Sequence, residues 1–222
     1  MRSSAVVSGV LFVVLLVLVA AGWPPLLSFD RSFDEALHRH AVAHPGVTRV
    51  NRVLSDWVWD PWTMRALAAV AVVLLWARRE RRLAVWVAVT CFVAAGLQQG
   101  IKFLVGRERP QWPDPVDSAR FAAFPSGHAM TATVTCGLLL WVLALRWRDE
   151  WRGWGVLAGA ALVSVVGVGW TRLYLGVHWP SDVLGGWLLG WVCVAAAVLS
   201  YRRFSGPGGS REDNGSETVR TG

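Results

Sequence analysis

Apolar residues in this chain gather into six long runs: Ala5 to Gly22, Trp62 to Ala77, Leu83 to Val105, Ala129 to Leu145, Trp154 to Trp170 and Val183 to Tyr201. About 20 helical residues cross the ~30 Å hydrocarbon core of a bilayer, so these runs read as membrane spans. Trp23, Trp57, Trp59, Trp76, Trp147, Trp151, Trp170 and Trp179 stand near span ends, where amphipathic rings settle at headgroup depth. The pattern predicts an all-α polytopic membrane protein, a six-transmembrane-helix bundle without solenoid repeats. Residues 24–60 mix charge with apolar positions and read as an extracytoplasmic loop with an interfacial helix around Phe33 to Leu54. Residues 202–222 have nothing to bury and read as a disordered cytoplasmic tail, which leaves 1–201 as a single transmembrane domain.

Composition narrows the class. With 54% hydrophobic residues, 15 tryptophans and 17% charged residues in 222, the chain lies outside the range of an ordinary soluble domain. Arg2 before the first run and Ala20, Ala21 and Gly22 closing it resemble a signal peptide, but the run exceeds the usual apolar length of about 7 to 15 residues. It is expected to remain as an uncleaved helix. Cys91, Cys136 and Cys193 lie inside apolar runs, where they act as small hydrophobes and form no metal set or disulfide framework.

Arginine placement sets the orientation, because short cytoplasmic connections accumulate basic residues. Arg2, Arg78, Arg79, Arg81, Arg82, Arg146, Arg148, Arg152, Arg202 and Arg203 crowd one face, close to span ends. On the other face Arg31, Arg39, Arg49, Arg52, Arg107, Arg109, Arg120 and Arg172 are diluted by acidic residues in longer loops. Both termini are therefore expected in the cytoplasm of a cell-membrane protein. The end of span three, the start of four, the end of five and the start of six then meet the outer surface.

Those four ends carry the polar residues that most need explaining. Lys102, the single lysine of the chain, stands inside the end of span three, with Arg109 in the loop beyond. A lone ammonium at membrane depth points to function, although a snorkelling helix anchor fits the same position. At the start of span four, FPSGH supplies Ser126 as an N-cap, Gly127 where backbone must approach something closely, and His128 in the first turn. The free N–H groups of such a helix end attract phosphate-like anions, and an ordinary cap with loop punctuation is the plainer alternative. Span five closes on Arg172, and span six opens after His178 with Pro180 and Asp182. An Asp182 carboxylate in the first turn can reach back to one ring nitrogen of His178, fixing its tautomer and freeing the other nitrogen to attack. Asp182 would equally serve as a helix-dipole partner. Together, two histidines, a carboxylate, a lysine and two arginines at one surface form the set that in-line phosphoryl transfer requires.

Lys102 with six residues before Arg109 and Pro110, then Pro125 to His128, then Arg172 with five residues before His178 and three more before Asp182, resemble a known signature. It is the three-part motif of type 2 phosphatidic acid phosphatases, membrane lipid phosphatases that share their site with vanadium haloperoxidases. The resemblance implies His178 as a nucleophile forming phosphohistidine, Asp182 as its orienting partner, and His128 as the acid that protonates the leaving group and then activates water. It implies Lys102, Arg109, Ser126, Gly127 and Arg172 as phosphate binders. Thr171 stands where the family usually has Ser, and its retained hydroxyl is expected to contact a phosphate oxygen or the backbone. No cofactor or metal is called for, since three fixed cations and a helix N-terminus already meet the charge on phosphorus.

The expected partners are the bilayer and a membrane lipid phosphate: phosphatidic acid, phosphatidylglycerol phosphate or polyprenyl pyrophosphate. Nothing points to nucleic acid, and the pattern carries no signal of oligomeric state. Of the remaining polar residues, Gln98 and Gln99 are expected to line the bundle interior or hydrogen-bond to a neighbouring helix, Arg65 to snorkel outward, and Asp114 and Asp117 to lie in a solvated loop. His38, His40 and His44 lack the neighbouring carboxylates of a metal set. Three competing functions share some of these features. A transporter or scaffold would place its polar residues nearer mid-span, a haloperoxidase would not need lipid-length helices, and a lipid-phosphate phosphotransferase would use the same site.

Overall fold

The computed structural model describes residues 1–147 and 153–205. In chain order the helices are α1 (Arg2–Ala20), α2 (Pro24–Ala43), α3 (Pro45–Val53), a π-helical turn (Leu54–Val58), α4 (Pro61–Ala77), α5 (Arg81–Val105), α6 (Gly127–Trp147), α7 (Trp154–Tyr174) and α8 (Pro180–Ser205). Among the described residues, six segments are long and apolar enough to cross a membrane: α1, the stretch through α4, α5, α6, α7 and α8. Outward valines such as Val6, Val10 and Val13 are exposed on α1, as lipid-facing positions are in a polytopic protein. Helix α8 continues past Tyr201, while the remainder of the expected tail from residue 206, with Arg148 and Arg152, lies outside the described residues.

The segment before the second span contains more helix than its sequence suggested. One interfacial helix was expected between Phe33 and Leu54, whereas α2 starts at Pro24 and the chain breaks between Ala43 and Pro45. Pro45 supplies no backbone N–H and restricts the residue before it, and His44 sits at φ −127°, ψ 73°, outside the helical region. Helix α2 buries Asp30, Asp34, His38 and Ala41 on one face, at near-helical spacing, and turns Phe29 and Phe33 outward. Its polar stripe faces protein and its phenyl rings face the surroundings, the reverse of a helix on a soluble protein.

The bundle is organised around α8, which packs against α1 on one side and α6 on another. Phe12 and Leu15 of α1, Leu138 of α6 and Val194 and Val198 of α8 share the main apolar core with Phe124 just ahead of α6. Glycines at Gly186 and Gly190 let α8 lie directly on the start of α6: a Cβ at Gly186 would come 2.6 Å from the Ser126 carbonyl, and one at Gly190 2.8 Å from Thr133. Small residues four apart are a recurrent contact between membrane helices, because they bring backbones together. The first turn of α8 is thereby set against the first turn of α6.

Candidate active site

Lys102 occupies the last turn of α5, which ends where Gly106 adopts φ +59° and its N–H closes on the Lys102 carbonyl at 3.0 Å. A left-handed cap suits glycine and turns the chain sharply back toward the bundle. The Lys102 ammonium is buried, donating to the Ala122 carbonyl and, at 3.4 Å, to that of Ala123. Arg109, beyond the turn, is fixed by three backbone carbonyls: Nε to Phe121 at 2.8 Å, one terminal nitrogen to Val177 at 2.6 Å and the other to Arg120 at 3.1 Å. Burial first, then the nearby Arg172 charge, pulls its pKa down to about 10, so it remains a cation at neutral pH.

At the start of α6 the Ser126 N–H donates to the Asp182 carbonyl at 2.9 Å, and the Ser126 carbonyl accepts the Met130 N–H at 3.0 Å. Ser126 thus begins the helix, but its hydroxyl does not act as the expected N-cap. Fully buried, its Oγ has no hydrogen-bond partner. A donor left unmade at a site built from cations is a place for a ligand oxygen. The close approach expected at Gly127 is made to Gln98, whose Nε2 would lie 2.6 Å from a Cβ there.

Arg172, near the end of α7, is 3% exposed and donates to Ser55 Oγ at 2.6 Å, with Asp117 at 3.9 Å. Its Nε is buried without a partner. Thr171 Oγ1 donates to the Val168 carbonyl at 2.9 Å, so the backbone alternative foreseen for this hydroxyl is the one present. His178, in the loop before α8, is 1% exposed. Its Nδ1 faces Asp182 Oδ2 at 3.4 Å, and its Nε2 faces a terminal nitrogen of Arg109 at 3.2 Å. Because guanidinium only donates, Nε2 must be the accepting nitrogen and Nδ1 the protonated one. Burial, followed by the charges of Arg109, Arg172 and Lys102, holds His178 well below the usual imidazole range. The ring is neutral, and its contact with Asp182 is a long N–H···O bond and not an ion pair.

Lys102, Arg109, Gly127, His128 and His178 all line one cleft of about 290 Å³. Arg172 and Ser126 do not border that open volume; they are buried with an orphaned Nε and Oγ respectively. Three distant segments of sequence therefore deliver two imidazoles and two cations to one opening. The arrangement suits an anion with several oxygens: cations on the wall, a neutral nucleophilic nitrogen, and a second imidazole to handle a proton.

Several contributors escaped the sequence reading. Arg120 and Arg65 also line the cleft; Arg65 is exposed, as a snorkelling side chain is, with its guanidinium 5.2 Å from the Trp62 ring, and it borders a second cavity as well. Asp117 is not a free loop carboxylate but stands opposite Arg172, only 17% exposed. Arg107 bridges Asp182 and Asp30 at 2.7 Å each. The periodic placement of Asp30, Asp34 and His38 was the available signal for that network. His38, His40 and His44 do not converge as a set of three: His38 stacks on Trp112 at 4.3 Å, while His40 stacks on His44 at 4.0 Å and hydrogen-bonds the Tyr174 hydroxyl at 2.9 Å.

Known proteins share this architecture. The chain is 29% identical over 147 residues to an undecaprenyl-diphosphatase of Sulfolobus acidocaldarius, a match covering 62% of this chain and 61% of that protein. It is 34% identical over 154 residues to a decaprenylphosphoryl-5-phosphoribose phosphatase of Mycolicibacterium smegmatis, covering 68% and 77% of the two chains. A transmembrane PAP2 type phosphatidylglycerolphosphate phosphatase from Bacillus subtilis superposes with a TM-score of 0.80 at 21% identity, over 92% of this chain and 98% of the other. Residues 83–205, which contain all three motifs, match the PAP2 superfamily, and the chain belongs to that family.

Proposed function

We propose that this chain is a membrane lipid phosphatase that removes a terminal phosphate, as monoester or diphosphate, through a phosphohistidine at His178. The observation that carries the reading is the unprotonated Nε2 of His178 beside Arg109 at 3.2 Å, in a ring that lines one cleft with Lys102 and His128. Nε2 attacks phosphorus as the bond to the leaving oxygen breaks, and protonated His128 gives its proton to that oxygen. The neutral His128 then takes a proton from water, whose oxygen displaces Nε2 and releases inorganic phosphate. Lys102, Arg109 and Arg172, with Ser126 Oγ and the Gly127 N–H, hold the equatorial oxygens as charge develops. Asp182 keeps the proton on Nδ1 and so leaves Nε2 free.

The lipid tail has a place in the same reading. A cavity of about 330 Å³ between α4, α5 and α6 is lined by Ala68, Ala95, Val134 and other small or apolar residues, and it shares Arg65 and Gln98 with the cleft. A phosphate in the cleft can thus continue into an apolar chain alongside these helices, which fits the polyprenyl and glycerolipid phosphates named for the relatives. The arginine bias supports termini in the cytoplasm and a cleft that faces outside.

The test is phosphate release in detergent micelles with excess chelator, using a polyprenyl diphosphate and a diacyl lipid phosphomonoester. Wild type should release phosphate and form an acid-labile, base-stable phosphoenzyme. His178→Ala should do neither, losing about 10⁴-fold or more in turnover. Undiminished activity in that variant refutes the assignment.

A further inference from the structure

Beyond Asp182, the assignment of His178 leaves the buried groups around that carboxylate unused. Asp30 on α2, Arg107 after α5, and Ser181 and Asp182 in the first turn of α8 form a closed ring of hydrogen bonds, with Asp30, Ser181 and Asp182 at 1%, 3% and 0% exposure. One terminal nitrogen of Arg107 donates to Asp182 Oδ1 at 2.7 Å and to Ser181 Oγ at 2.6 Å. The other donates to Asp30 Oδ2 at 2.7 Å. Ser181 closes the ring, its N–H donating to Asp30 Oδ1 at 3.0 Å and its hydroxyl to Asp30 Oδ2.

We infer that Asp30 and Arg107 are positioning residues for the nucleophile, and that Asp30 works by keeping Arg107 monodentate on Asp182. A guanidinium facing a lone carboxylate prefers to grip both oxygens through two parallel bonds. Here the fork is divided between two carboxylates, so Arg107 takes only Oδ1 of Asp182. Oδ2 stays with the Trp179 N–H at 2.9 Å and the His178 Nδ1 at 3.4 Å. With Asp30 neutralised, nothing holds the second arm of the fork, and it is free to swing onto Oδ2 and compete with the imidazole. Asp34, whose oxygens have no partner, adds no third negative charge at neutral pH: burial, then the charges of Asp30 and Asp182, raise its pKa to about 8. Asp30 lies outside residues 83–205, so the first part of the chain tunes a site whose motifs lie in the second.

This inference rests on the phosphohistidine reading, and a double-mutant cycle separates the two. Asp30→Asn should lower kcat roughly 10- to 100-fold, and Ser181→Ala, which keeps every charge, roughly 3- to 10-fold, with KM within about two-fold in both. In an Asp182→Asn background, Asp30→Asn should add less than about a two-fold loss, because the carboxylate it acts through is gone. If Asp30→Asn fails to give a monodisperse protein, the same cycle is run with Ser181→Ala. Additive losses, a change confined to KM, or unchanged kcat in the single variants overturns the positioning role. Should His178→Ala itself retain activity, the site assignment fails first; an inert His178→Ala beside fully active ring variants removes only this inference.

Discussion

Helices α6 and α8 differ from α4 and α5 in how tightly they are held. Half of the most apolar stretch of α6 and of α8 is buried, against 17% in the segment through α4 and 22% in α5. The first pair meets through Gly186 and Gly190 with no room for another carbon, whereas the second flanks an apolar cavity of about 330 Å³. The tight pair carries His128 and Asp182 and frames His178. A reaction that depends on atoms held to within tenths of an ångström belongs on that pair, and a tail of variable length belongs on the looser one.

Four variants and one pH series can break or sharpen that contrast. The largest effect is expected from the cations proposed to hold phosphate: Lys102→Ala and Arg172→Ala should each cut kcat/KM about 10²- to 10³-fold while the protein remains folded, as measured by phosphate release and size-exclusion profile. Near-normal turnover in either would remove it from the site. Gly186→Ala tests the tight pair directly, since its methyl would lie 2.6 Å from the Ser126 carbonyl. Overpacking of this kind costs about 1–3 kcal/mol, so a lowered Tm and roughly ten-fold slower turnover should appear together. On the loose side, Ala95→Trp should fill the cavity and raise KM roughly 3- to 10-fold for a long-chain substrate while leaving hydrolysis of a short soluble phosphate ester nearly unchanged. Equal losses on both substrates would show that the cavity does not receive the tail.

The smallest effect concerns Asp34. Its folded pKa of about 8 lies above the ordinary 3.8, so between those values the folded protein keeps a proton that the unfolded chain releases. Stability should fall as pH rises through that window. Asp34→Asn should remove this part of the slope and raise Tm by roughly 2–4 °C at pH 8 relative to wild type, with no gain near pH 4. A thermal series in detergent at the two pH values reads the difference.

Local chemistry decided which parts of the molecule were legible in advance. The spans were readable because apolar length is a property of contiguous residues, and the helices found extend those runs by only a few positions. The grouping of Lys102, Arg109, Gly127, His128 and His178 was readable because span parity brings alternate helix ends to one surface. The Asp30 ring was not, since its partners stand 77 and 151 positions away and nothing in either neighbourhood names the other. Ser55 was hidden for a similar reason: a π-helical turn, and not any side-chain motif, presents it to Arg172 117 positions later. The break at His44 was marked by Pro45, but that signal was lost in a segment whose outward phenyl rings obscured its helical period.

The bond from the Ser126 N–H to the Asp182 carbonyl also constrains how the protein moves. It ties the start of α6, which carries His128, to the first turn of α8, which carries Asp182 beside His178, so the two imidazoles ride on a single jaw. Room for a bulky group is then left to the looser wall of α4 and α5, where it can be accommodated without parting the two imidazoles.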